Sequence, residues 1–194
     1  MKTAVADFSK ITCILRGYTA QETRLILEVL KDSGIRSVEI TMNTEGALSM
    51  IREAVEHFGD SLSIGAGTVL TMEQLHDVVS AGADFVLSPV MFTREMLGYC
   101  RERKVIAVPA AFTPSEIYTQ LTWGADIVKV FPAVTVGPSY FRQLAGPLGP
   151  LPLMAVGGVN AENAQEFIKC GCPYLGIGSG MFRRAAGICQ RHFQ

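Results

Sequence analysis

Short β-branched runs alternate with longer amphipathic segments from one end of this chain to the other, and that alternation constrains the fold more than any single residue does. Ile11 to Arg16, Ser37 to Met42, Ser63 to Val69, Phe85 to Val90, Val105 to Ala110, Ile127 to Pro132, Leu153 to Val156 and Tyr174 to Ile177 read as strands. Helices are expected between them. Thr19 with Glu22 has the spacing of a capping box, a second helix runs from about Thr44 to His57, Thr71 caps a third ending near Ala81, and Pro114 sits in the first turn of a fifth. Asn160 to Lys169 and Met181 to Arg191 read as the last two helices. Every connection passes through a helix, so the strands run parallel. Eight such units, with both faces of the sheet covered, favour a (β/α)8 TIM barrel over an open doubly wound sheet, although 194 residues is short for the class. No linker or shift of composition divides the chain, so residues 1–194 are expected to form a single domain.

In such barrels the working groups stand at the C-terminal ends of the strands. The ionisable residues expected there are Arg16, Glu39 and Lys129, whereas Asp84 and Asp126 precede their strands and belong to the opposite, stabilising end. Of the six lysines, Lys129 alone lies inside an apolar, β-branched run. A buried lysine either satisfies a core carboxylate or serves as a desolvated amine, nucleophilic toward a carbonyl carbon near neutral pH. Period-2 alternation puts Glu39 and Thr41 on one side of their strand and Val38 and Ile40 on the other. Val38 and Ile40 suit the layer beneath the helices, so Glu39 points into the barrel, and the same parity groups Lys129 with Ile127 and Phe131. Glu39 and Lys129 are then a buried salt bridge or a working pair. Burying two charges seldom stabilises a fold more than apolar packing does, which favours function.

Two glycine-rich strand ends follow, Val156-Gly157-Gly158-Val159 and Gly176-Ile177-Gly178-Ser179-Gly180. Glycines of this kind form tight turns, but after the seventh and eighth strands of a barrel they more often let backbone amides approach a phosphate. Gly65-Ala66-Gly67-Thr68 leaves room for a substrate that Thr68 can hydrogen-bond, and Ser88-Pro89 is a weaker signal of the same kind.

Composition enters by exclusion. A net charge of -1 carries no basic footprint for nucleic acid and no polybasic membrane patch. No apolar run reaches the roughly 18 residues that cross a bilayer, and Asp7 falls where a signal peptide would be apolar, so a cytoplasmic protein is expected. Cys13, Cys100, Cys170, Cys172 and Cys189 lack metal-type spacing and read as reduced, apolar packing residues. His57, His76 and His192 fall on expected helices, leaving no histidine base and no histidine-carboxylate metal set, and one inward carboxylate is too few for magnesium. Chemistry without metal or cofactor, on a small molecule, is what remains.

Taken together, Val38-Glu39-Ile40-Thr41, Gly65-Ala66-Gly67-Thr68-Val69, Val128-Lys129-Val130-Phe131-Pro132, Gly157-Gly158 and Gly176-Ile177-Gly178-Ser179 resemble, in order and spacing, the 2-keto-3-deoxy-6-phosphogluconate and 4-hydroxy-2-oxoglutarate aldolase family. The likeness covers nearly the whole chain. It implies a class I aldolase of (β/α)8 fold, commonly a homotrimer, that cleaves a phosphorylated 2-keto-3-deoxy sugar acid to pyruvate and glyceraldehyde 3-phosphate. By the same resemblance Lys129 is the Schiff-base lysine, Glu39 the general acid/base, and Thr68 a pyruvate-binding residue. Pro89 and Phe131 join the substrate-binding set, and Gly157, Gly158, Gly178 and Ser179 form the phosphate seat.

The chain departs from the gluconate-type pattern in three places. Asn43 stands where those enzymes resemble each other in an arginine for the pyruvate carboxylate, and Arg16 is the available substitute. Val156 replaces a threonine, which together with Asn43 and Val136-Gly137-Pro138-Ser139-Tyr140 looks like the branch acting on 2-keto-3-deoxy-6-phosphogalactonate. Pro109-Ala110 replaces the more usual Pro-Gly and narrows the pocket by a methyl group. Two other functions stay open on the residues alone. One is a phosphate-binding isomerase or epimerase, which needs no covalent lysine, and the other is a catalytically silent phospho-metabolite binder, which needs neither Lys129 nor Glu39.

Overall fold

The computed structural model describes residues 5–178, 181–185 and 188–191. Strands and helices alternate as β1 (Ile11–Leu15), α1 (Ala20–Leu30), β2 (Ser37–Thr41), α2 (Ala47–Phe58), β3 (Ser63–Gly67), α3 (Met72–Ser80), β4 (Phe85–Leu87) and α4 (Arg94–Arg103). There follow β5 (Ile106–Val108), β6 (Ala110–Ala111), α5 (Pro114–Thr122), β7 (Val128–Val130), α6 (Ala133–Val136), α7 (Pro138–Leu148), β8 (Leu153–Val156), α8 (Ala164–Lys169) and β9 (Tyr174–Ile177). Local chemistry starts several of these helices where the sequence says it should. Thr19 and Thr113 each close a reciprocal capping box with the glutamate three residues on, and the Thr71 hydroxyl accepts from the Gln74 N–H.

The sheet is parallel, in the order β5-β4-β3-β2-β1-β9-β8-β7-β6. Its two ends are one stretch of chain. β5 pairs with β4 and β6 with β7, on either side of Pro109, so the strand from 106 to 111 turns from one neighbour to the other and closes an eight-stranded barrel. Pro109 has no N–H for the ladder, yet its carbonyl accepts from Lys129 N at 2.8 Å, which keeps the seam joined.

Alternation along the strands sorts the apolar side chains into two cores. Val38, Ile40, Ile64 and Val128 face the helices, while Phe85, Ile106, Ile127 and Met154 fill the barrel itself. Phe8 closes the lower end, its ring edge-on to Phe85 at 5.0 Å between centroids. Asp84 and Asp126 also sit at that end, where their carboxylates accept backbone N–H groups of the neighbouring strands, Ile64 at 3.3 Å and Ala107 at 2.9 Å.

Three expectations about helices change. The segment Met181 to Arg191 does not form the eighth helix. Instead β10 (Phe182–Ala185) and β11 (Ile188–Arg191) pair antiparallel. Gly187 in the middle of that segment lowers its helical tendency, and two four-residue runs are better served by pairing with each other. Helix α2 starts at Ala47 rather than near Thr44, because Thr44 is used in a turn described below. Helix α8 starts at Ala164 rather than Asn160, since Asn160 and Asn163 bond to backbone N–H groups of their own loop.

Candidate active site

Lys129 lies in the middle of β7 and is 4% exposed; Glu39 lies in the middle of β2 and is 1% exposed. Both point into the barrel, as the parity of their strands requires. They form no direct ion pair: Oε2 of Glu39 is buried without a hydrogen-bond partner. The alternative of a mere buried salt bridge is therefore not what the geometry shows. Burial pulls the Lys129 amine down to about 8, reinforced by the charge of Arg16 and opposed by that of Glu39. Burial likewise pushes the Glu39 carboxyl above its usual range, against the pull of Lys129 and Arg16. An amine of this kind is partly unprotonated at neutral pH, and the raised Glu39 carboxyl holds its proton more tightly than a free one.

Space for the carboxylate comes from the next strand. A Cβ on Gly67 would fall 1.4 Å from Glu39 Oε1, so only glycine permits this placement of Glu39. Thr68, the following residue, holds a left-handed φ of 58°, a strained conformation for a β-branched residue of the kind that gathers at working sites.

A cavity of about 390 Å3 is lined by Arg16, Phe131, Val156, Gly157, Gly158 and Gly178 among the expected residues, with Tyr18 and Phe182 added, and it touches Lys129, Glu39 and Thr68 nowhere along its described lining. Gly157 and Gly158 have φ of 93° and 75°, and a Cβ on Gly158 would meet the Val134 side chain at 2.5 Å, so the loop depends on both glycines. Asn163 Nδ2 donates to Gly158 O at 2.9 Å and holds the loop from behind. Ser179 lies outside the described residues. The Phe131 ring, 5.2 Å from Lys129 Nζ, is shared with a second opening lined by Pro89, Ala110 and Phe112. Asn43 is exposed in the turn after β2 and does not line the first cavity.

The sequence missed Tyr18 and Phe182 as cavity walls and Gly67 as the room for Glu39. Only the glycine carried a signal, since a Gly-x-Gly at a strand end marks a close approach of some kind. Among the described residues no three His, Cys, Asp or Glu side chains gather as a metal set, and no helix is long and apolar enough to cross a membrane.

A parallel barrel that sets a desolvated amine beside an unpartnered carboxyl at its mouth is the scaffold of a class I aldolase, a carbon-carbon lyase working through a lysine Schiff base. The family model described as KDPG and KHG aldolase matches residues 3–190, and the chain belongs to that family. It is 32% identical over 182 residues to the 2-dehydro-3-deoxy-6-phosphogalactonate aldolase of Escherichia coli strain K12, covering 92% of this chain and 87% of that one. With the 2-dehydro-3-deoxy-phosphogluconate aldolase of Treponema pallidum it shares 31% over 180 residues, 87% and 85% of the two chains. Among solved structures, the native KDPGal structure superposes with a TM-score of 0.85 at 33% identity, over 92% of this chain and 85% of that one. The KDPG aldolase of Legionella pneumophila, with pyruvate captured as a covalent carbinolamine, superposes with 0.82 at 30%, over 91% and 85%.

Proposed function

We propose that this enzyme cleaves a 2-keto-3-deoxy-6-phospho sugar acid to pyruvate and glyceraldehyde 3-phosphate, with Lys129 as the Schiff-base lysine. The observation that carries this reading is the Lys129 amine, buried and held near pH 8, facing the buried, unpartnered Oε2 of Glu39. The amine adds to the C2 carbonyl, and Glu39, directly or through a water, delivers the proton with which the carbinolamine loses water to give the iminium. Glu39 then takes the proton of the C4 hydroxyl. The C3–C4 electron pair moves into an enamine, the iminium nitrogen serving as sink, and the aldehyde leaves. Protonation at C3 and hydrolysis return pyruvate and the free amine.

Arg16 holds the substrate carboxylate in place of an arginine at position 43, Thr68, Pro89 and Phe131 contact the keto-acid portion, and the Gly157-Gly158 and Gly178-Ser179 ends take the phosphate. The same pocket accepts the shorter 4-hydroxy-2-oxoglutarate, with glyoxylate as the aldehyde. Borohydride added with pyruvate should fix a covalent adduct on Lys129, and Lys129→Ala should lose both adduct and turnover. Turnover surviving that change would end the proposal. A lactate dehydrogenase-coupled assay for pyruvate also separates it from an isomerase or a silent binder.

Val156 supports the galactonate-type substrate. It lines the cavity, is 6% exposed and has no hydroxyl to offer a substrate. Both C4 epimers should be cleaved, with the galactonate form at least competitive. Val156→Thr should move the ratio of kcat/KM toward gluconate by about 1 kcal/mol, or several-fold. A strong gluconate preference that the substitution leaves unmoved would remove Val156 from this role. A homotrimer in the cytoplasm completes the proposal. Its support is that a designed cage, made by fusing symmetric oligomeric domains, matches with a TM-score of 0.85 at 33% identity over 92% of this chain and 66% of its own. Sedimentation as a monomer would remove the trimer.

A further inference from the structure

Arg16 stands alone as a cation on the first cavity among its described lining residues, at the end of β1 and largely exposed. An exposed arginine on a loop has ample rotamer freedom, and a guanidinium useful for a carboxylate must be placed within a fraction of an ångström. What limits the backbone beneath it is a chain of hydrogen bonds from β2. The Gly17 N–H donates to Thr44 Oγ1 at 2.9 Å, Thr44 Oγ1 lies 3.0 Å from Thr41 Oγ1, and Thr41 Oγ1 donates to the Leu15 carbonyl over a longer 3.4 Å. Each hydroxyl has one proton, so with Thr41 bonded to Leu15 the Thr44 proton goes to Thr41, and both hydroxyls accept one bond and donate one. The chain begins on the residue after Arg16 and ends on the residue before it. Thr41 is 0% exposed and Thr44 8%, so the two hydroxyls are shielded from water, while the Gly17 N–H at the start of the chain is partly exposed. Thr44 is itself fixed by a turn, its N–H donating to the Thr41 carbonyl at 2.9 Å.

We propose that Thr44 is a positioning residue: with Thr41 it clasps the backbone on both sides of Arg16 and thereby sets where the guanidinium meets the substrate carboxylate. The proposal rests on the assignment of carboxylate binding to Arg16. It explains how the site works with Asn43 at the position of the usual arginine. The cation comes from β1, and the residue next to Asn43 holds it there. Thr44 touches no reacting atom, so its effect passes through Arg16 alone.

The test is a double-mutant cycle on the phosphorylated keto-acid substrate. Thr44→Val keeps the shape and removes the hydroxyl; it should raise KM roughly tenfold while kcat changes by less than about threefold. Thr44→Ser restores the hydroxyl and should return KM to within about twofold of wild type. On an Arg16→Ala background, Thr44→Val should add nothing further. Lys129 is faced by Glu39 from β2 and by Arg16 from the end of β1, so displacing Arg16 should also move the midpoint of pyruvate trapping upward in pH. If Arg16→Ala leaves KM unchanged, the carboxylate assignment falls and the clasp with it. If Arg16→Ala raises KM but Thr44→Val does not, or if Thr44→Val costs the same factor without Arg16, the clasp alone is overturned. Should Thr44→Val not fold, Thr41→Val cuts the same chain on its other side and is read by the same criteria.

Discussion

The two ends of this barrel treat their carboxyl groups in opposite ways. At the lower end Asp126 accepts the Ala107 N–H and Asp84 the Ile64 N–H, stitching adjacent strands together. At the mouth Glu39 is more deeply buried, yet its Oε2 has no partner, and it forms no ion pair with Lys129, whose charge acts on it. Burial raises Asp126 as it raises Glu39, but at Asp126 a backbone hydrogen bond pulls the other way. A carboxylate that joins two strands contributes to stability. One that is desolvated and left unpaired costs stability, which fits the acid/base role proposed for Glu39. The left-handed φ of Thr68 belongs to the same end as Glu39.

Breaking the mouth should therefore cost activity and spare the fold. Short of removing Lys129 itself, the largest effect is expected from Gly67→Ala, whose methyl group takes the place of Glu39 Oε1. It should lower kcat by roughly 10²-fold or more, the scale of losing a general acid/base, with circular dichroism unchanged. Glu39→Gln should match it. Activity retained in Gly67→Ala would mean that Glu39 works equally well elsewhere.

The next effect is in pH. Pyruvate trapping requires the neutral amine, so its rate should climb about tenfold per unit up to pH about 8 and then level, as stopped borohydride reactions can follow. A midpoint near the ordinary lysine value of 10.5 would mean that the amine is not desolvated in solution. The sign for stability follows from the same shift. Between about 8 and 10.5 the unfolded chain holds a proton on this lysine that the folded chain has released, so its penalty is full below that window and lifts as pH rises through it.

The smallest effects set the two ends directly against each other. Replacing the mouth pair together by apolar residues, Glu39→Leu with Lys129→Met, should raise stability by about 1–3 kcal/mol in urea unfolding. Asp126→Ala leaves the buried Ala107 N–H unpaired and should lower stability by about 1–2 kcal/mol with kcat unchanged. Equal signs for the two substitutions would erase the distinction between the ends.

Much of this was legible in the chain. The eight strands, the capping threonines and the inward direction of Glu39 and Lys129 follow from period-2 alternation and short-range capping, which act within a few residues and so leave their mark locally. The antiparallel pair of β10 and β11 differs from the helix expected there because a short segment that continues a repeating pattern takes its structure from its tertiary neighbours. β11 lies against α1, at the far end of the sequence.

By itself, then, the sequence determined the alternation of strand and helix, the family of the protein, and which side of each strand its charges occupy. Tertiary structure alone decided that Pro109 marks the seam where the barrel closes, that Gly67 makes room for Glu39, and that Thr44 reaches Gly17 across 27 residues of chain. Those contacts depend on the register in which strands pair, such as Leu15 beside Ile40, and on the curvature of the closed sheet. Register and closure are set by the summed packing of the whole barrel, so no local stretch of residues encodes them.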